Sequence, residues 1–395
     1  MVYRKLRANL IFNGREFLEP NYVLITTEDG TIVDCMPAID AGEGIETFSG
    51  ILSPGFINCH CHLELSHLKG LFPEKKGLVD FVLRVVTQQD IPEEEIQEAI
   101  YSAESQMIRN GIVAVGDICN NSQTIAQKLK RRLVYHNFIE VSGWNPVIAS
   151  ARMAKAKSLF EDFRELPDGD ERTSISPHAA YSVSESLWKM MSGDLEDRII
   201  TVHNQETAWE DELFEKGTGD ALRLYNLMKI ENPEFKASGR SSFQTILPRL
   251  VRAKKIILVH NTFLKPDDLL HLKDNPVKAP LINWCLCPNA NLYIEDKMPP
   301  VELLRSASFN IALGTDSLAS NHSLSMLDEI RTIQRFYPEI PSLELLQWVT
   351  QNGAIALGLE KRFGNFVQGK RPGINLLENV EGKKINDSTT VRRIL

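Results

Sequence analysis

The segment Ser53-Pro-Gly-Phe-Ile-Asn-Cys-His-Cys-His-Leu-Glu-Leu-Ser66 decides how the rest of the chain is read. Ile51 to Ile57 is an apolar, β-forming run interrupted by Pro54-Gly55, and it delivers His60 and His62 two residues apart. Alternate side chains of a strand share a face, so both imidazoles point the same way. Two neutral imidazoles converging from one strand end are half of a divalent-metal site. Cys59 and Cys61 alternate with them and face away. With Cys35, Cys119, Cys285 and Cys287 they lie mostly in β-like runs and lack the Cys-x-x-Cys spacing of zinc or redox motifs, so they read as reduced and structural.

Outward from this segment, helix and strand signals alternate. Pro92-Glu-Glu-Glu opens a helix, with acids at the positive end of its dipole, and Asn110-Gly111 stops it. The buried run Ile112-Val-Ala-Val-Gly-Asp-Ile follows, and then strands at Leu133 to Val141, Thr173 to Ser176, Ile199 to His203, Lys255 to His260, Ile282 to Cys287 and Phe309 to Thr315. Intervening helices are expected after Asn120, from about Val147 to Phe163, from Ser184, and around Val301, Leu324 and Ser342. Strands almost continuous in Ile, Val and Leu, separated by helices, predict a parallel sheet covered on both faces. Eight of them predict a closed (β/α)8 TIM barrel, an α/β fold. An open doubly wound sheet is the alternative, but no Gly-x-Gly-x-x-Gly opens a helix after a strand.

Residues before about 50 read instead as short β segments, Leu6 to Phe12, Tyr22 to Thr27 and Thr31 to Met36, with turns at Asn13-Gly14 and Asp29-Gly30. Strand signals return in Phe366 to Leu377 and Thr390 to Leu395. The two termini, residues 1–52 and 364–395, are therefore expected to pair in one minor domain beside a barrel over 53–363.

Composition narrows the function. The 395 residues are 43% hydrophobic and 24% charged, an ordinary globular balance, and the net charge of −8 argues against nucleic acid as a main partner. The amino-terminal segment lacks the apolar core of a secretion signal, and no apolar run approaches the ~18 residues of a membrane span. A cytoplasmic protein with no membrane partner is expected.

Barrel chemistry sits at the carboxyl ends of the strands. There the predicted strands end in His178, His203, His260 and Asp316, with Glu206 three residues beyond His203. His60, His62, His203 and Asp316 supply three nitrogens and one carboxylate and leave a position open for water, as catalytic metal sites do. A bound water whose pKa falls toward ~7 is a hydroxide nucleophile at neutral pH.

These residues lie in Pro-Gly-Phe-Ile-Asn-Cys-His-Cys-His, Ser-Pro-His-Ala-Ala-Tyr-Ser, His-Asn-Gln-Glu, Val-His-Asn, Cys-Pro-Asn-Ala-Asn-Leu and Gly-Thr-Asp-Ser-Leu-Ala-Ser-Asn. In that order the motifs resemble the signature of the amidohydrolase superfamily, in its branch of cytosine, guanine and adenosine-type deaminases and triazine chlorohydrolases. The resemblance runs over nearly the whole chain and implies that the paired termini, residues 1–52 and 364–395, form a composite β-sandwich. It implies metal ligands His60, His62, His203 and Asp316, with Asp316 also accepting a proton from the water. It implies Glu206 as proton shuttle, His260 beside the nucleophile and His178 facing substrate. Where dinuclear relatives carry a carboxylated lysine, this chain has Ser176-Pro-His178, so one metal is implied: zinc, with iron or manganese open.

His-Leu-Glu-Leu-Ser looks most like aminodeoxyfutalosine and adenosine-derivative deaminases. This implies hydrolytic deamination of a purine or purine nucleoside derivative, with Glu64 against the purine or ribose and Phe81 in a lid. Glu64 could equally make a salt bridge at a strand end, and Asn289 and Asn291 could offer amide donors or turn the chain. Asn321 and His322 are similarly open. Hydrolysis of a cyclic amide or of a halogenated triazine on the same scaffold is the alternative, and a catalytically silent binding scaffold is a third reading. Glu206 favours an amine leaving group, which needs a proton. A homodimer is compatible with the family.

Overall fold

A computed structural model describes residues 2–88, 91–274 and 281–395; Met1, where the expected sandwich begins, lies outside them. Eight parallel strands form the barrel in two hydrogen-bonded quartets. The first quartet is Phe56–Cys61, Ile112–Cys119, Val134–Val141 and Thr173–Pro177, and the second is Ile199–Asn204, Lys255–His260, Leu281–Leu286 and Asn310–Leu313. Every residue of Ile112–Cys119 and of Lys255–His260 is buried, which is why these strands read as unbroken apolar runs. A continuous core joins Phe56, Ile112, Val115 and Ile139 to Ile200, Leu258, Trp284 and Leu313.

The two seams of the barrel are closed by polar groups beside the strand ends. At one, His203 N–H donates to the His178 carbonyl (2.9 Å) and Thr201 N–H to Ser176 Oγ (3.2 Å). At the other, the Asn58 amide exchanges two hydrogen bonds with Thr315, donating to Oγ1 (2.8 Å) and accepting from N–H (3.0 Å), while Asp316 N–H reaches the His60 carbonyl (3.0 Å). Gly314 makes this contact sterically possible, since a Cβ there would fall 2.7 Å from His60 Cβ.

The chain termini form two further four-stranded sheets. Tyr3–Arg7, Tyr22–Thr27, Ile32–Pro37 and Ile45–Thr47 make one; Leu10–Ile11, Ile51–Pro54, Ile374–Glu378 and Thr390–Arg393 make the other. Leu6, Ile11, Leu24, Ile32, Leu52, Ile374 and Leu376 share one apolar cluster between them. Pro54-Gly55 thus does more than interrupt a strand. Ile51–Pro54 pairs antiparallel with Ile374–Leu377, and Phe56, one residue beyond the break, begins the barrel.

Two helix expectations shift. The segment after Asn120 keeps only the short helix Ile125–Lys128. The helix at Ser342 runs through a π turn, Trp348–Asn352, into Gly353–Ala356, and Gly353 packs where a Cβ would meet Ile57 Cβ at 2.8 Å. Among the described residues, no helix is long and apolar enough to cross a membrane.

Candidate active site

Three imidazoles meet at the carboxyl ends of the first and fifth barrel strands. His62 Nε2 lies 3.2 Å from His60 Nε2 and 3.3 Å from His203 Nε2. Asp316 Oδ1, just past the eighth strand, is 3.6 Å from His60 Nε2 and 3.5 Å from His62 Nε2. Two nitrogens, each ~2.0–2.1 Å from a tetrahedral zinc, stand about 3.3 Å apart, so the donor set fits such an ion. His60, His62 and His203 therefore form a candidate metal site.

The protonation of this cluster suits ligation. Burial holds His60 and His62 below the ordinary imidazole range, and His203 well below it, with neighbouring histidines adding to the effect on His203. Neutral imidazole is the ligating form. His203 Nδ1 donates to the His178 carbonyl (2.9 Å), which leaves the Nε2 lone pair facing the cluster. Burial alone would raise Asp316, but the His60 hydrogen bond and the charge of His62 outweigh it and hold the carboxyl well below its usual range. Ser320 Oγ donates to Asp316 Oδ2 (2.7 Å), so Oδ1 is the oxygen turned to the histidines.

Backbone strain concentrates here. Gln205, His260, Asn261 and Asp316 all have φ between 44° and 70°, the left-handed region that non-glycine residues avoid. Neighbouring hydrogen bonds over-determine the turns: Asn261 N–H to Asn204 O (2.9 Å), Phe263 N–H to Gln205 O (2.9 Å), and the Asn204 amide to Asn261 Oδ1 (3.0 Å). The left-handed turn at Gln205 leads into the helix Trp209–Lys216. Glu210 supplies the carboxylate at that helix start, accepting the Gln205 and Glu206 N–H groups (3.2 and 2.8 Å). Glu206 is thereby left facing the cluster, with Oε1 3.6 Å from His260 Nε2. Burial, and then the charge of Asp316, raises its carboxyl well above the ordinary range.

The remaining expected residues divide. His178 joins the cluster, its ring 4.7 Å from that of His203 and its Nδ1 2.7 Å from Ser182 Oγ. Asn291 joins through Oδ1, 2.8 Å from His260 Nδ1. Glu64 is buried nearby, with its carboxylate accepting the Asn120 and Asn121 N–H groups at 3.0 to 3.2 Å. Asn289 is bound to Glu329 and Thr332, and Asn321 to Thr315 and Glu329. Phe81 packs against Phe72, and His322 is exposed beside Glu74.

Two groups escape the sequence reading. Glu140, at the end of the third strand, places Oε1 3.6 Å from His203 Nδ1 and accepts the Asn120 amide (2.9 Å) on Oε2. The strand-end rule that selected His203 selects it too. Asp117 accepts the N–H of Leu63, the residue after His62 (2.9 Å), and is neutralised by buried Lys128 at 2.6 Å.

A closed (β/α)8 barrel with a converging His3Asp donor set at its carboxyl end defines a metal-dependent hydrolase scaffold. The amidohydrolase family model matches residues 51–392, and the chain belongs to that family. An adenosine deaminase of Helicobacter pylori is 26% identical over 334 residues, 83% of this chain and 79% of its own length. The solved aminofutalosine deaminase of H. pylori, in complex with methylthio-coformycin, aligns with a TM-score of 0.80 at 22% identity, covering 99% of this chain and all of that one. A zinc-bound adenosine deaminase of Xanthomonas campestris aligns at 0.71 and 22% identity, covering 95% and 84%. At such identities the solved structures show the fold.

Proposed function

We propose that this protein is a metal-dependent aminohydrolase that removes the amino group of a purine nucleoside derivative. One observation carries the reading: a buried carboxyl, Glu206, raised well above its ordinary range, stands beside His260 at the rim of the converging imidazoles. His60, His62, His203 and Asp316 would hold one divalent ion, with zinc favoured by the donor set and by the zinc-bound relative. Such an ion supplies Lewis acidity that makes a water nucleophilic at neutral pH. Asp316 takes the proton of the attacking water. Glu206, its carboxyl raised well above the ordinary range, gives its proton to the ring nitrogen next to the reacting carbon, regains one from the hydroxyl of the adduct and passes it to the amino group, which leaves as ammonia; the proton held by Asp316 then restores Glu206. His260, fixed through Nδ1 by Asn291, orients the nucleophile. His178 faces the substrate.

The deaminases that resemble this chain support the purine nucleoside class, and the terminal sheets outside the barrel support a division of the chain into residues 53–363 and the paired termini; a cytoplasmic location belongs to the same reading. A homodimer is part of the same reading, and the oligomeric state in solution is read by sedimentation velocity. The test is ammonia release from adenosine, thioether adenosines, aminodeoxyfutalosine, guanine, cytosine and aminotriazines. Release from a purine nucleoside, reduced ~10²–10⁴-fold in Glu206→Gln with metal retained, is expected. Silence across the panel from metal-loaded protein would move the assignment to another leaving group.

A further inference from the structure

At the amino-terminal face of the barrel, opposite the imidazole cluster, two adjoining cavities of about 180 and 90 Å³ share Arg131, Leu133, Val134 and Arg362 in their walls. Arg132, Arg371 and Arg393 complete the larger cavity and Arg172 the smaller. Val134 opens its strand and Glu140 lies near its other end, so roughly 20 Å of strand separates this face from the candidate active site.

Six guanidinium groups around adjoining cavities repel one another, and the chain as a whole is acidic, so the concentration is local. Acids compensate three of them: Asp29 lies 3.4 Å from Arg371, Glu104 3.0 Å from Arg132, and Asp168 3.0 Å from Arg172. Among the described residues, Arg131 and Arg362, the two common to both cavities, form no ion pair; Arg362 lies over the Phe363 ring. Arg131 is held in the left-handed region, φ 56°, by an N–H bond to the Lys128 carbonyl. The crowding is felt electrostatically. Burial lowers Arg362 and Arg393 from the ordinary arginine range, and the neighbouring Arg371 lowers both further.

We propose that this arginine-lined cavity binds a multiply charged oxyanion of the phosphate class, with Arg131 and Arg362 as its principal contacts. Guanidinium forks match phosphate oxygens bidentately. The larger cavity holds one or two phosphoryl groups and leaves anything attached to them outside. Arg131, Arg132 and Arg362 come from the barrel, while Arg371 and Arg393 flank the terminal strand Ile374–Glu378 or belong to Thr390–Arg393. An anion there ties the terminal sheet to the barrel.

Calorimetric titration of the full-length, metal-loaded protein with inorganic phosphate, pyrophosphate and ADP, at constant ionic strength in chloride, tests this. Saturable binding of one anion per chain is expected, weakened at least tenfold when Arg131→Ala and Arg362→Ala are combined. Binding of ADP as tightly as pyrophosphate, lost with it in the double variant, makes a nucleotide tail the source; binding of pyrophosphate alone makes it the free anion. Should the double variant misfold, Arg371→Ala, on the open side of the cavity, is expected to weaken binding several-fold. Pyrophosphate is also expected to raise the melting temperature of the wild type and not of either variant. Absence of saturable binding, or binding that the variants leave unchanged, overturns the proposal.

Discussion

Lys128 and Arg131 sit on one turn of chain and both line the smaller cavity, yet Lys128 is tied through Asp117 to the carboxyl-end network and Arg131 is not. Lys128 is buried and matched: Asp117 at 2.6 Å, the Asn137 amide oxygen at 2.8 Å, and the rings of Tyr135 and Phe163 around it. Arg131 opens onto a cavity among like charges. Toward the carboxyl end, hydrogen bonds fix the functional groups: the His178 carbonyl holds His203, Ser320 holds Asp316, and Asp117 holds the Leu63 N–H beside His62. Such mutual fixation holds a donor set within tenths of an ångström, and an end that lacks it is free to accept an ion from solution.

Breaking the matched end at its centre gives the largest effect. His203→Ala removes a converging nitrogen and the strut to His178 together, so bound metal and deamination are both expected to vanish, activity by on the order of 10³-fold or more. Metal analysis beside the ammonia assay checks it, and retention of a full equivalent of metal would remove His203 from the ligand set. Next is Lys128→Met, which strands the Asp117 carboxylate in the core at a cost of ~3–5 kcal/mol. Denaturant unfolding measures this, and adding Asp117→Asn is expected to restore part of the loss.

Where the sequence was legible follows the same division. Strand ends carrying His60, His62, His203, His260 and Asp316 are periodic, local signals, and the barrel strands fall within a residue or two of their expected places, apart from the first, which starts at Phe56 after Ile51–Pro54 joins the terminal sheet, and a shorter Asn310–Leu313. What stayed hidden depends on partners distant in the chain. Nothing near Asp117 announces that it caps Leu63, and Asn289 reads as a substrate contact until Glu329 is seen to bind it. The left-handed turn at Gln205 that aims Glu206 at the cluster cannot be read from a glutamine.

Glu329 offers a smaller, pH-dependent test at the matched end. Burial pushes its carboxyl from 4.5 up to about 8, against the pull of the Asn289 and Asn321 hydrogen bonds. The folded state keeps a proton that the unfolded chain releases, so the stability this group contributes is greatest below the unfolded value. It falls as pH rises from 4.5 to about 8 and then levels, by on the order of 5 kcal/mol. Glu329→Gln is expected to flatten that part of the stability profile; an unchanged slope in unfolding experiments between pH 5 and 8 would assign it to other groups.

Arg371→Gln is expected to do least to the protein without added anion, and the reason sharpens the contrast. Its pair with Asp29, 3.4 Å apart, is more than half exposed on both sides, a geometry in which solvent screens most of the attraction. Asp29 does not depend on it. The carboxyl is lowered to about 2 first by hydrogen bonds from Thr27 and Thr31, with Arg371 the last contributor. Against the small attraction lost stands the repulsion relieved, since Arg371 presses on both Arg362 and Arg393. The two terms oppose, so the melting temperature in phosphate-free buffer is expected to move by less than about 2 °C. Lowering the salt lengthens the reach of the repulsion and turns the shift positive. A fall of many degrees would instead make Arg371 a structural strut, and the amino-terminal face would then be matched in the same way as the carboxyl one.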